Sequence, residues 1–591
     1  MRVRPAAASG PRRGVVHFPR TAGAMALLRS WIMRVTLAQP RQVVGDLAGN
    51  AESIREAVEK AAGEGSDLVV LPELSILGYP PRDLLLREEV VPACEAAVAE
   101  IARSLPVPTL VGSPRRVQGG RRPIANSMAL CRGGRVEAWH DKLLLPTYDV
   151  FDEARWFEPG REPLVFDLEV DGTRRRVGVL VCEDLWQGED VRVDTEYVAD
   201  PVAMLAAAGC DLVVSPSASP FIVGKFQRHE SILAAAASRL GAPIAMVNQC
   251  GAHDDLVFDG GSLIVSEDGT TLATGPRFQT GGTTFDLDRK PASSATPLGA
   301  AEERYHAITL AIRAYLDATG IRSVLLGLSG GIDSAVVVAL AVGALGPDRV
   351  RGVLLPSRYS SEHARADALE SATALGIRTD EIPIENLHRC ATESLDRTLE
   401  LGGGGLLGIA DENVQARLRG LLLMAISNAE GPMLLSTSNK SELAVGYSTL
   451  YGDMCGGLAP IGDLYKTEVF ALARWMNEHH AALGFERPMV PVGSIEKPPS
   501  AELRPDQRDE DSLPPYDQLD RYLRSRIDDR RSPGNAGREA DMDAEVVARV
   551  ERLLAFSEFK RYQATIVPKL SARTFGRGRE IPIVARWRTL D

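Results

Sequence analysis

Ser323-Val-Leu-Leu-Gly-Leu-Ser329-Gly-Gly-Ile-Asp-Ser334, continuing into Ala335-Val-Val-Val-Ala-Leu340, decides how the C-terminal half of this chain is read. An apolar run of strand length stops at a Gly-rich turn, and a helix-forming apolar run starts just after it. A strand, a tight turn and a helix N-terminus aim unpaired backbone N–H groups at one point, which favours phosphate there. The spacing G-x-x-x-x-G-K-[ST] and its lysine are absent, so this is not a Walker A loop.

Upstream, Lys290-Pro-Ala-Ser-Ser-Ala-Thr-Pro-Leu-Gly-Ala-Ala301 has linker composition. An amphipathic helix is expected from about Glu302 to Thr319, before the second α/β pattern begins. From Arg34 to about Asp288 short apolar runs alternate with Ala-rich amphipathic stretches. Asp67-Leu-Val-Val-Leu-Pro72, Val177-Gly-Val-Leu-Val-Cys182 and Asp211-Leu-Val-Val-Ser-Pro216 read as strands buried on both faces, hence a layered α/β domain. The first and third of these runs resemble each other. The expected division is a leader over 1–32, a first domain over 33–288, a linker over 289–301 and a second domain over 302–591. The leader carries six arginines and no acid, and is expected to be disordered or an artefact of the assigned start. Lys497 to Pro515, rich in Pro and acid, reads as an ordered excursion or a lid. Arg524 to Glu539 is very polar and is expected to be exposed.

Composition narrows the class. A net charge of −12 argues against a general nucleic-acid binder. Seven cysteines (Cys94, Cys131, Cys182, Cys210, Cys250, Cys390, Cys455) without CxxC spacing fit a reducing cytoplasmic setting and no zinc site. The longest apolar stretch, Ala335 to Gly346, falls well short of the ~20 residues that cross a bilayer.

Three N-terminal segments carry reactive side chains at strand ends. Leu71-Pro72-Glu73-Leu74 offers a carboxylate, His140-Asp-Lys142-Leu-Leu-Leu-Pro146 an ammonium, and Val181-Cys182-Glu183-Asp184 a thiol where a strand stops. Singly, each is more readily a core or solvated residue. Together and in this order they resemble the nitrilase (carbon–nitrogen hydrolase) superfamily, whose fold is an α-β-β-α sandwich and whose triad is Glu–Lys–Cys. Glu153-Ala-Arg-Trp-Phe-Glu-Pro-Gly160 stands where that family carries a second glutamate. The resemblance gives Glu73 as general base, Lys142 as stabiliser of the oxyanion and Cys182 as nucleophile. Attack on an amide would yield a thioester that water hydrolyses. Tyr148 and the run Ser215-Pro-Ser-Ala-Ser219-Pro-Phe-Ile-Val-Gly-Lys225 resemble the glutamine-binding elements of glutaminase domains. By that resemblance Tyr148, Ser219 and Lys225 contact glutamine; by composition alone Ser219 and Lys225 read as a surface loop.

Ser-Gly-Gly-x-Asp-Ser in turn resembles the PP-loop of N-type ATP pyrophosphatases, a doubly wound parallel-sheet fold that cleaves ATP between the α and β phosphates. Thr437-Ser-Asn-Lys-Ser-Glu442 through Asp453, Asp463-Leu-Tyr-Lys466-Thr, Glu412-Asn413-Val-Gln-Ala-Arg417-Leu-Arg419 and Pro499 through Glu510 resemble the NAD synthetases within that class. The resemblance places Ser329, Gly330, Gly331, Ile332, Asp333, Ser334, Thr437 and Lys466 around ATP. It places Asn413, Glu442, Asp453 and Lys560 around deamido-NAD, and Asp333 and Glu442 on Mg²⁺, whose preference is for oxygen donors. Arg417 and Arg419 read equally well as a salt-bridged helix face. The implied reaction joins ammonia from glutamine to adenylated deamido-NAD, in a homo-oligomer that is at least a dimer. Another glutamine amidotransferase of the ATP pyrophosphatase class is the alternative.

Overall fold

The computed structural model describes residues 33–186, 197–287, 297–399, 406 and 408–585. The expected leader (1–32) and most of the expected linker (289–296) lie outside the described residues.

Two six-stranded mixed sheets build the N-terminal half. The first runs Gly281–Asp286, Arg34–Gln39, Leu68–Val70, Thr109–Arg116, Ile124–Arg132, Arg135–Asp141 in spatial order. The second runs Thr271–Thr274, Leu263–Val265, Ile244–Asn248, Leu212–Ser217, Thr173–Val179, Leu164–Val170. One apolar cluster joins Val35, Leu68, Leu110 and Met128 of the first sheet to Val177, Leu212 and Ala245 of the second, so the sheets stack face to face. The outer face of each packs on helices, Ile54 and Val98 on one side and Leu205 and Leu233 on the other. The result is an α-β-β-α sandwich. Leu68, Val69 and Val70, like Leu212, Val213 and Val214, are fully buried, which accounts for runs of continuous apolar residues. The two similar runs start alike. Asp67 and Asp211 each accept a backbone N–H from an arginine on the neighbouring strand, Arg34 at 2.8 Å and Arg176 at 2.7 Å.

The C-terminal half carries a four-stranded parallel sheet, ordered Arg378–Glu381, Val350–Leu354, Val324–Gly327, Met433–Leu434. Helices Ala300–Thr319, Ile332–Leu345 and Lys466–Glu478 cover one face, and Ile409–Glu430 covers the other. This is a doubly wound sheet. The first of these helices begins two residues earlier than the sequence suggests, with Glu302 accepting the N–H of Gly299 at 3.4 Å. Its apolar face also packs on the Cys250–His253 and Leu256–Asp259 hairpin of the other half, with Phe221 and Phe278 in the same cluster. The two halves therefore share one continuous core.

One expectation needs correction. Arg524 to Glu539 is not simply exposed: Ser525, Ile527 and Ala536 are buried. Ile527 and Ala536 join a further apolar cluster with Leu443, Tyr465, Leu519 and Phe575. The arginines lie on its rim, where Arg526 pairs with Glu551 at 2.9 Å. Among the described residues no helix is long and apolar enough to cross a membrane.

Candidate functional site

Glu73 and Lys142 follow two non-adjacent strands of the first sheet, Leu68–Val70 and Arg135–Asp141, and Cys182 follows Thr173–Val179 of the second, so both sheets deliver reactive side chains to one end of the sandwich. All three are at most 5% exposed. Cys182 opens a short 3₁₀ turn with φ of 47°, the left-handed backbone of a sharp strand-to-helix elbow. Asp184 fixes that elbow, accepting the N–H of Val181 at 2.9 Å, Leu143 at 3.0 Å and Leu144 at 2.8 Å. The nucleophile and lysine loops are thus tied through one carboxylate.

The Lys142 ammonium donates to Glu73 at 2.7 Å and to Glu153 at 2.9 Å. Asn126 donates to Glu73 at 2.6 Å, the Ala218 N–H donates to Glu73 at 3.2 Å, and the Tyr79 hydroxyl donates to Glu153 at 2.8 Å. Burial opposes the lysine's charge, but Glu153 and Glu73 outweigh it and hold the ammonium protonated well above the ordinary lysine range. Burial pushes Glu153 up, with Lys142 opposing. Burial and then Glu73 push the Cys182 thiol up, so the resting form is SH.

Beside the thiol, Glu183 is buried and accepts from Tyr148 at 2.9 Å and Tyr197 at 3.0 Å. Lys225 donates to the Pro220 carbonyl at 2.7 Å and lies 5.7 Å from the Trp186 ring centroid. Ser219 is buried, with its N–H on Asn248 at 2.8 Å and its hydroxyl 3.2 Å from His229. Sequence reading passed over Asn126, Glu183 and Tyr197. Only Glu183, next to the thiol, had a position that could have flagged it.

In the C-terminal half, Ser329-Gly-Gly331 links the Val324–Gly327 strand to the Ile332–Leu345 helix, whose first turn carries Asp333 and Ser334. Gly330 has φ of +77°, and a Cβ there would sit 2.0 Å from the Ala364 carbonyl, so only glycine fits. The Ser334 hydroxyl donates to the Gly331 carbonyl at 3.0 Å and closes the turn. Lys466, 3% exposed, donates to Asp333 at 2.6 Å and to Glu442 at 3.0 Å, while Asn439 donates to Asp333 at 2.9 Å. Thr437 is half-buried in the adjoining loop, whose Ser436 hydroxyl donates to the Asp453 carbonyl at 2.9 Å.

The residues expected around the dinucleotide split into two groups. Glu442 faces Lys466 and Asp333. Asn413 and Asp453 are joined instead through Thr449, which donates to them at 2.8 and 2.7 Å. Lys560 donates to the Gly446 and Ser448 carbonyls at 2.7 and 2.6 Å, on the same loop. Arg417 donates to the Leu450 carbonyl at 3.2 Å and Arg419 to that of Leu355 at 3.0 Å, so backbone carbonyls hold both in place of the salt-bridged face considered above. The Pro-rich segment is docked: Glu502 accepts from the Ser361 hydroxyl at 2.9 Å, and Gln415 donates to the Leu503 carbonyl at 3.0 Å.

Comparison with known proteins matches both halves of the chain. The carbon–nitrogen hydrolase family matches residues 34–296 and the NAD synthase family residues 304–564. A glutamine-dependent NAD(+) synthetase of Synechocystis sp. is 42% identical over 93% of this chain and 98% of its own. That of Acinetobacter baylyi is 38% identical over 94% and 99%. The structure of glutamine-dependent NAD+ synthetase from Acinetobacter baumannii, in complex with adenosine diphosphate, is 35% identical, with a TM-score of 0.73 over 95% of this chain and 100% of that one.

Proposed function

This chain belongs to the glutamine-dependent NAD(+) synthetase family, and we propose that it divides the making of NAD between the two sites just described. It is a ligase that forms NAD from deamido-NAD, ATP and glutamine. Glutamate, AMP and pyrophosphate are the other products.

At the first site the thiol must lose its proton as it attacks the glutamine amide, because burial disfavours a standing thiolate. Glu73 accepts that proton and returns it to departing ammonia. The Lys142 ammonium, fixed by two carboxylates, faces the oxyanion without reorganising. Tyr148, Ser219 and Lys225 hold the substrate's glutamyl part, and Glu183 is the carboxylate placed to take its α-ammonium.

At the second site the turn Ser329–Ser334 cradles the pyrophosphate end of ATP, with Thr437 beside it. Lys466 neutralises phosphate charge as the nicotinate carboxylate attacks the α-phosphorus. Asn413, Glu442, Asp453 and Lys560 hold deamido-NAD. Magnesium fits the donor chemistry here, since Asp333 and Glu442 direct two carboxylates at one cation of single charge. Among the described residues no group of three acids, histidines or cysteines could hold a metal alone, so phosphate oxygens complete the set. When bound, the ion supplies Lewis-acid polarisation of the phosphates. Ammonia passes from the first site to the second, and the residues of 33–288 and 302–591 act as the two working domains. The assembly is at least a dimer and works in the cytoplasm.

The observation that carries this reading is the pairing of an intact Glu73–Lys142–Cys182 cluster with an intact Ser329–Ser334 turn in one chain. Incubation with deamido-NAD, ATP and glutamine should yield NAD and AMP in equal amounts. Glutamine hydrolysis with no AMP would contradict it.

A further inference from the structure

We infer that the glutamine pocket of the N-terminal half is held in shape by the C-terminal half, with Glu303 and Lys569 as its positioning residues. This rests on the reading that Tyr148 and Lys225 contact glutamine.

The partners of the reacting groups and those of the binding groups have different origins. Among the described residues, Glu73 and Lys142 are held by each other and by side chains and amides of the N-terminal half: Asn126, Glu153 and Ala218. The two loops that carry Tyr148 and Lys225 reach across the seam instead.

On the first loop Asp149, next to Tyr148, has φ of 52°, a left-handed backbone that aspartate tolerates and that turns its carboxylate toward the second half. There it pairs with Lys569, whose ammonium lies 3.0 Å from the Asp149 carboxylate. Lys569 is itself 1% exposed and donates at 3.0 Å to the Ala572 carbonyl, with its backbone N–H on the Asp255 carbonyl at 2.7 Å. On the second loop the N–H of Gly224, just before Lys225, donates to Glu303 at 2.8 Å. The N–H of Val223 donates to the Leu570 carbonyl at 3.0 Å. Glu303 is 1% exposed and fixed by Arg277 at 2.8 Å.

The strap bearing Lys569 and Leu570 is placed by the synthetase half. Asp463 accepts the N–H groups of Leu570 and Ser571, both at 2.7 Å, and pairs with Lys440 at 3.0 Å. Lys440 follows Asn439, the residue bonded to Asp333. Bond-making is thus intrinsic to the first half, whereas the loops that carry Tyr148 and Lys225 are braced by the second.

The test measures glutamine hydrolysis and ammonia-driven NAD formation in the full chain. Lys569→Met and Glu303→Ala should each raise the KM for glutamine about 10-fold, the size of one lost charge-assisted hydrogen bond. Their glutaminase kcat and ammonia-driven synthesis should each stay within about 3-fold of the parent chain, a ratio worth under a kilocalorie. Lys569→Arg and Glu303→Gln, which keep a donor or an acceptor, should recover most of the affinity. If the first pair folds poorly, Asp149→Ala, which removes the carboxylate that Lys569 grips, should raise the KM in the same way, and an unchanged KM there overturns the inference. An unchanged KM in Lys569→Met and Glu303→Ala, or equal loss of glutamine-driven and ammonia-driven synthesis, would overturn the inference. Lys225→Ala separates it from the reading beneath it. A raised KM there alone leaves the pocket assigned and the positioning role refuted. An unchanged KM there refutes both.

Discussion

The two sites are built on the same small device and put it to opposite uses. In each, one lysine ammonium lies between two carboxylates: Lys142 at 2.7 and 2.9 Å from Glu73 and Glu153, and Lys466 at 2.6 and 3.0 Å from Asp333 and Glu442. The difference is access. The carboxylates of the first are at most 3% exposed, while those of the second keep 17% and 14% of their side-chain surface open. A sealed cluster can fix a proton donor and acceptor around a thiol, but it has no room for a polyphosphate. The opened cluster can exchange its lysine contacts for phosphates and a divalent ion.

The sharpest break between the sites is in nitrogen source. Cys182→Ala should abolish glutamine-driven synthesis, a fall of at least ~10³. Ammonium-driven synthesis should be retained. Asp333→Asn removes a charged oxygen from the open cluster, so both nitrogen sources should fail together, by at least ~10². Parallel assays with glutamine and with ammonium chloride read both, and equal loss in Cys182→Ala would merge two sites into one.

Stability probes the sealing itself. Lys142→Met leaves two carboxylates buried without a cation, which should cost about 3–5 kcal/mol. Lys466→Met leaves its carboxylates partly hydrated, so its cost should be smaller, about 1–2 kcal/mol. Denaturant midpoints at neutral pH compare the pair, and equal losses would deny the difference in access.

How much of this was legible beforehand follows the same division. The triad and the Ser329–Ser334 turn were legible because each element's own chain order places them: strand, loop, reactive residue. Glu153 was legible only by resemblance. Asn126, Tyr79 and Tyr197 were not, since nothing local in their segments distinguishes a carboxylate's partner from an ordinary buried polar residue. The burial of Ile527 and Ala536 was hidden by the arginines around them, whose charge masks a narrow apolar face. Lys569 and Glu303 depend on contacts with segments 420 and 79 residues away, and no local pattern encodes these.

A smaller effect concerns pH. Burial lowers the Lys225 ammonium to about 8. Its charge is complete below that value and lost as pH rises through it, so affinity for the glutamine carboxylate should fall in the same direction. The KM for glutamine should rise about 3-fold between pH ~7 and ~8.5. Lys225→Arg, whose guanidinium stays charged, should flatten the rise. A rise of the same size in both would assign it to another group.

The central claim is that nitrogen freed at Cys182 becomes the amide of NAD made at the Asp333 site. Glutamine labelled with ¹⁵N at its amide, supplied with deamido-NAD, ATP and an excess of unlabelled ammonium, tests this directly by mass spectrometry of the product. Labelled NAD as the main product from the parent chain, and only unlabelled NAD from Cys182→Ala, is the expected result. Unlabelled NAD from the parent chain, with glutamine hydrolysed alongside, would contradict it.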